Sequence, residues 1–243
     1  MPIDPQAPPL LTPGLPGVGG RIKDRPEDFE VEEIPAYDHS GTGEHLYLWV
    51  EKTGMGADYF QRQVARRLDL PPGEVGVAGL KDRHAVTRQW VSVPVACESK
   101  LSGLDGDGVK LLKTSRHDNK LRLGHLRGNR FTILIRDADA TKADDLNRVL
   151  ERVRREGLPN YYGPQRFGRD GETAAMGMAL LRGEGKRGRN PFLHKLALSA
   201  SQSILFNHAL GKRLLDGLMR KVLPGDAMMK WPFGGVFTAE DLP

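Results

Sequence analysis

Two pairs of alternating valines, Val75 and Val77 on one side and Val91 and Val93 on the other, bracket a run too polar for any core: Lys81, Asp82, Arg83, His84, Thr87 and Arg88. Alternation at period two marks strands, so residues 76–94 prescribe a charged loop held between two of them. Gly79 stands at the turn, where a side chain would obstruct the backbone. One carboxylate, Asp82, is thereby presented between two cations on a loop of a rigid scaffold, a common setting for reactive groups. Charge pattern alone reads this as a surface cluster of exposed ion pairs, worth little to stability. The other reading is an ionised Asp nucleophile whose charge is stabilised by the cations beside it.

The chain upstream supplies more strand and helix. Residues 1–20 hold six prolines and no basic residue before an apolar run, so they read as a flexible lead-in and not as a signal peptide. In residues 21–31, Pro26 discourages helix before it, while Phe29 and Val31 alternate with acids, which makes Phe29 a core or edge-strand aromatic. Leu46, Leu48 and Val50 alternate with Tyr47 and Trp49, predicting a strand over 44–51. Ala57, Phe60, Val64 and Leu68 then share one helical face, with Arg62, Arg66 and Arg67 facing away and Pro71-Pro72 as the stop. A strand–helix–strand unit therefore delivers the chain into the Asp82 loop.

Downstream, residues 95–109 read as an acidic, Gly-rich connecting loop. Residues 110–136 carry eight Lys or Arg against one acid, Asp118, with strand-like pieces at 109–112, 120–123 and 131–135. That bias predicts a ramp for phosphates, since each one neutralised releases counterions. Leu146, Val149, Leu150 and Val153 predict a helix opening near Thr141 and ended by Gly157 and Pro159. Residues 172–181 and 196–215 read as further helices, separated by a solvated basic loop, Lys186-Arg187-Gly188-Arg189.

Composition narrows the function class. A net charge of +5 and a pI of 9.3 make a polyanionic partner plausible, while 39% apolar and 28% charged residues describe a soluble globular protein. Cys97 is the single cysteine, which excludes an intrachain disulfide and a multi-cysteine zinc site and suits a reducing cytosol. No apolar run approaches membrane-spanning length, so no membrane partner is expected.

Several strings together resemble the TruD family of tRNA pseudouridine synthases. These are Gly79-Leu-Lys-Asp-Arg-His-Ala-Val-Thr-Arg-Gln89, the segment from Arg21 to Val31, Leu123-Gly-His-Leu-Arg-Gly-Asn-Arg-Phe-Thr-Ile133, and Asn160-Tyr-Tyr-Gly-Pro-Gln-Arg-Phe-Gly168. The resemblance implies an α+β fold: a pseudouridine-synthase-like mixed, largely antiparallel sheet with helices, plus a mostly helical insertion domain. It implies a lead-in at 1–20, a catalytic domain at 21–168 and a partial insertion domain at 169–243. It implies Asp82 as nucleophile, Lys23 near that carboxylate, Phe29 in contact with the target nucleotide, Asn129 at the uracil edge and Phe131 against the uracil ring. Tyr161 and Tyr162 could stack on bases, but a structural role suits them better. The activity implied is conversion of uridine to pseudouridine, at position thirteen in the D arm of tRNA, with no cofactor and no metal, by a monomer in the cytoplasm.

One departure stands out. Family members return to the catalytic domain through a Gly-Ser-Phe-Ala-type segment that this sequence lacks. The expectation is a truncated chain whose helix would leave Leu196, Ala200 and Ile204 uncovered. Two other function classes follow: a catalytically inactive tRNA-binding fragment, and a metal-assisted phosphoryl-transfer enzyme with a second carboxylate beside Asp82.

Overall fold

A computed structural model describes residues 7–184, 190–230 and 234–240. It divides into two compact units, residues 18–140 and residues 1–17 with 141–243. The first is built on a six-stranded sheet. In chain order its elements are β1 (Phe29–Pro35), β2 (His45–Thr53), α1 (Ala57–Arg67), β3 (Gly76–Val77), β4 (Val86–Pro94), β5 (Val109–His117) and β6 (Leu126–Ile133). The strand order is β5-β2-β4-β1-β6, with β3 beside β4. Only β1 and β4 run parallel; the other pairings are antiparallel, the mixed, largely antiparallel α+β sheet expected.

The alternation that marked β2 explains its place. Leu46, Leu48 and Val50 face Val93, Val91 and Gln89 across the β2–β4 ladder, and the valines and leucines pack beneath Phe60 and Val64 of α1 and Leu68 just after it. The opposite face carries Tyr47, Trp49 and Trp90. Asp58 in the first turn of α1 and Arg66 and Arg67 in its last complement the helix dipole. Strands β1 and β3 share one side of β4 at different heights: β1 pairs with residues 86–88, and β3 with Val91 and Ser92. A short gap in the ladder lies between them, and it becomes important at the site.

Two expectations change here. Residues 95–103 are not a loop but short helical turns, Val95–Gly103. The piece at 120–123 is not a strand: the Leu121 N–H donates to Ser92 Oγ at 2.9 Å. Both sides of β4 are already occupied by β2, β1 and β3, so no strand-edge position is left for it; β6 follows and pairs with β1.

The second unit contains α2 (Ala143–Glu156), α3 (Glu172–Leu181), α4 (Pro191–Leu215) and a hairpin of β7 (Ala227–Met229) and β8 (Val236–Thr238) that the sequence reading did not foresee. Helix α3 matches its predicted bounds. Helix α4 begins earlier than expected, because Asn190 caps it: its Oδ1 accepts from the N–H groups of Phe192 and Leu193, with Pro191 at the first position. The predicted basic loop at 186–189 lies outside the described residues. Ala200 is fully buried with Phe167 and Ala174, and Ile204 packs against them. The expectation that these two would be uncovered is therefore overturned; the exposed apolar residues of α4 include Phe192, Leu205 and Leu215. Tyr162 is structural: its N–H and C=O both pair with the Asn207 side chain at 2.9 Å, and its ring meets Phe206 edge-on. Arg166 likewise donates to Ser199 and Ser203 of α4. Residues 160–168 thus belong physically with the helices that follow them.

Candidate active site

Asp82 stands between β3 and β4 with its side chain half exposed, and two buried lysines hold its loop. Lys52 continues the apolar register of β2 after Leu46, Leu48 and Val50. Its Nζ donates to the carbonyl oxygens of Met55 at 2.7 Å and of Asp82 itself at 2.9 Å. Burial pushes this ammonium down to about 8, against the pull of the Asp82 charge and with the push of Lys81. Lys81 turns the other way, and its Nζ donates to Glu33 Oε2 at 2.6 Å with both groups buried. The second Glu33 oxygen accepts the Trp90 N–H at 3.2 Å. That amide lies in the ladder gap between the β1 and β3 pairings, so a carboxylate does there what a strand cannot. Burial raises the Glu33 carboxyl, and the hydrogen bond from Lys81 opposes the rise.

Gly79 is closely packed here, a constraint separate from turning. A Cβ on it would stand 3.2 Å from Lys81 Nζ and 3.5 Å from a Leu126 methyl, so the buried ammonium occupies the space.

The remaining expected residues come from β1, β6 and the segment before β1. Lys23 Nζ lies 3.7 Å from Asp82 Oδ1 and 3.8 Å from the centroid of the Phe29 ring. Its backbone is left-handed, φ 61°, which costs an L-residue roughly 1–2 kcal/mol. The flanks hold it there: Arg21 and Arg136 exchange backbone hydrogen bonds at 2.9 Å. Asp28 accepts both from the Arg25 N–H at 3.1 Å and from Arg136 Nε at 2.7 Å. The Arg136 guanidinium holds the Asp28 carboxyl below its ordinary value. The Phe29 and Phe131 rings lie 5.8 Å apart, tilted by 54°, with Phe131 largely exposed and Phe29 buried. Asn129 and Phe131 face Glu33 and Val31 directly across the β1–β6 ladder, so their side chains share the Phe29 face. Asn129 Oδ1 is buried without a hydrogen-bond partner among the described residues. Lys23, Phe29, Phe131 and Asp82 thus form one cluster, and Asn129 joins it by strand register.

Sequence reasoning missed Lys52 and Glu33. Both carry a readable signal, a charge in the apolar register of a strand: Glu33 follows Phe29 and Val31 as Lys52 follows Leu46, Leu48 and Val50. The predicted ramp at 110–136 also changes form. Lys110, Lys113 and Arg116 lie on β5 and Arg127 and Arg130 on β6, at opposite edges of the sheet. Four strand spacings separate those edges, roughly 19 Å. Arg116, Lys120, Arg130 and Arg136 are paired with Glu98, Glu74, Glu32 and Asp28. Beside the Asp82 loop, Met55, Gly56, Tyr59, Arg62 and Arg83 line a cavity of about 450 Å³. Among the described residues, no cluster of three or more His, Cys, Asp or Glu could hold a metal ion, and no helix is long and apolar enough to cross a membrane.

A sequence model of the family described as tRNA pseudouridine synthase D (TruD) matches residues 9–193, about three quarters of the chain. This chain belongs to the TruD family. The tRNA pseudouridine synthase D of Anaeromyxobacter dehalogenans (strain 2CP-1) is 49% identical over 238 residues, covering 96% of this chain and 68% of the relative. One from Thermus thermophilus is 47% identical, covering 98% of this chain and 66% of the relative. A solved TruD structure from Methanosarcina mazei superimposes with a TM-score of 0.79 at 20% identity, over 98% of this chain and 70% of that one. At that identity it speaks for the fold, which is the TruD fold. The chain spans about two thirds of the length of these TruD relatives.

Proposed function

We propose that this TruD-family chain isomerises uridine to pseudouridine in tRNA, at position thirteen in the D arm, with Asp82 as nucleophile. The observation that carries the reading is the Asp82 carboxylate beside the Lys23 ammonium at 3.7 Å, next to the paired rings of Phe29 and Phe131. The target base must leave its stack at a cost of a few kcal/mol. A flipped uracil laid on Phe131 and Phe29 would recover about 1–3 kcal/mol from stacking. The Asn129 side chain, on the Phe29 face of the sheet, offers an acceptor for the uracil N3–H and a donor for a ring carbonyl.

The Asp82 carboxylate attacks the nucleoside, the N1–C1′ bond breaks, and the freed uracil turns until C5 faces C1′. A C5–C1′ bond forms, the bond to Asp82 breaks and frees the carboxylate, C5 loses its proton and N1 takes one up. Substrate and product are isomers and no electrons change hands, so the chemistry calls for no cofactor. Lys23 sets the carboxylate's orientation and supports its charge, while Arg62 and Arg83 on the neighbouring cavity wall offer cations to the RNA backbone. The same reading makes the sheet unit, residues 18–140, part of the catalytic domain and the helices from α3 onward part of the insertion domain, with tRNA as the partner and the cytoplasm as the setting.

Tritium release from tRNA carrying C5-labelled uridine tests it. Asp82→Asn should abolish release while leaving the fold and tRNA affinity intact, because only the charge and nucleophilicity are lost. Turnover retained by the Asn variant would sink the assignment.

A further inference from the structure

Of the buried groups that this chemistry leaves unused, Lys52 is the one that touches the nucleophile's own backbone. It occupies an apolar position on the α1 side of β2, with Thr87 opposite it on β4 and Val109 opposite on β5. Burying an ammonium there is costly unless it is hydrogen-bonded. Its two carbonyl partners belong to different segments: Met55 sits in the turn that leads into α1, and Asp82 in the loop that leads into β4.

We propose that Lys52 is a positioning residue for Asp82, its ammonium fastening the Asp82 peptide to the Met55 turn and so fixing where the nucleophilic carboxylate stands. The proposal rests on Asp82 being the nucleophile. The ends of the loop are held by backbone bonds, from Gly124 N–H to the Ala78 carbonyl at 2.8 Å and from Gly54 N–H to that of Ala85 at 3.2 Å. Its middle is held by side chains: Lys81 on Glu33, and Lys52 on Asp82. These two anchors act on adjacent residues in different ways. Lys81 is tethered through its own side chain, whereas Lys52 grips the Asp82 carbonyl and sets the plane of the peptide that follows. With that peptide plane held, the Cα–Cβ direction of Asp82 is restrained, and its carboxylate is left to meet Lys23. A displacement of about 1 Å in a reacting group can cost roughly a hundredfold in rate, so a hydrogen bond to the backbone can control turnover without touching substrate.

The test is Lys52→Met, which preserves the buried stem and removes the donor, assayed beside Asp82→Asn in the full chain. The expected result is a kcat lowered by at least about tenfold, the scale of a sub-ångström displacement, with tRNA Kd unchanged. Amide hydrogen exchange at Gly54 and Gly124, whose N–H groups hold the two ends of the loop, should accelerate while the β2–β4 ladder keeps its protection, a pattern that general destabilisation does not produce. Wild-type kcat in Lys52→Met, unchanged exchange at Gly54 and Gly124, or a uniform rise across the whole sheet would each overturn the positioning role. If Lys52→Met does not fold, Lys52→Arg, which keeps charged donors, decides: loop protection and turnover must be retained or lost together. Turnover in Asp82→Asn would instead overturn the nucleophile. An inactive Asp82→Asn beside a fully active Lys52→Met would overturn the positioning role alone, and the exchange data settle the matter without turnover.

Discussion

Lys81 and Glu33 form a buried ion pair at 2.6 Å whose carboxylate also closes the β4 ladder at Trp90. Lys81 is the residue before Asp82, so the Asp82 loop is bolted to β1, the strand that carries Phe29. One pair therefore sets the spacing between the carboxylate and its aromatic wall. Breaking it on one side should be expensive. Glu33→Ala is expected to lower the unfolding free energy by about 3–5 kcal/mol, as removing one partner of a buried pair does, and urea denaturation measures it. Glu33→Leu with Lys81→Met should lose less than the single change, because no charge is left buried alone.

Lys23 separates strain from function. Its left-handed backbone favours glycine. Lys23→Gly should stay within about 1 kcal/mol of the wild type in stability, relief of strain offsetting the entropy of the freer unfolded chain. Turnover should nevertheless fall, since the ammonium 3.7 Å from Asp82 is gone. Loss of stability and of turnover in proportion would mean that Lys23 is only a fold residue.

Lys52 gives a pH signature. Its folded value of about 8 lies below the ordinary 10.5 through burial, with Asp82 opposing the shift and Lys81 adding to it. Below pH 8 both folded and unfolded chains hold the proton. Between about 8 and 10.5 the unfolded chain binds it and the folded chain does not, so stability rises with pH through that window. The difference in unfolding free energy between the wild type and Lys52→Met should therefore shift in favour of the wild type from about pH 7.5 to 10, read by denaturant midpoints at each pH. A flat difference would mean the ammonium is not desolvated.

The basic segment divides into two testable sets. Neutralising Lys120, Arg122 and Arg127 should flatten the salt dependence of tRNA binding by about one phosphate's worth of slope for each phosphate no longer neutralised. Neutralising Lys110, Lys113 and Arg116 on the far edge of the sheet should change it less. Equal slopes for both sets would mean that RNA spans both edges.

Gly177 marks a close approach of α3 to α4. A Cβ there would collide with the Ala197 carbonyl and Ser201 Oγ. Because the Ala197 oxygen is main chain, α4 itself would have to move, and Gly177→Ala should destabilise the protein by about 1–3 kcal/mol, the cost of overpacking. A thermal melt reads it, and a neutral result would show that the helices can slide apart freely.

Much was legible in the sequence by itself. Period-two valines and leucines set β2 and β4, the 3.6-period stripe set α1, and α3 was found to the residue, because each pattern needs only its own neighbours to bury a face. The TruD strings marked Asp82, Lys23, Phe29, Asn129 and Phe131 one by one. Only the tertiary structure decided what surrounds them. Glu33 and Lys52 are charges whose cost is set by partners 48 and 30 residues away in sequence, Lys81 and Asp82. The basic ramp is continuous along the chain but split in space, because β5 and β6 close opposite edges of one sheet. Local period determines which face a residue takes; strand order, which no local pattern encodes, determines what that face meets.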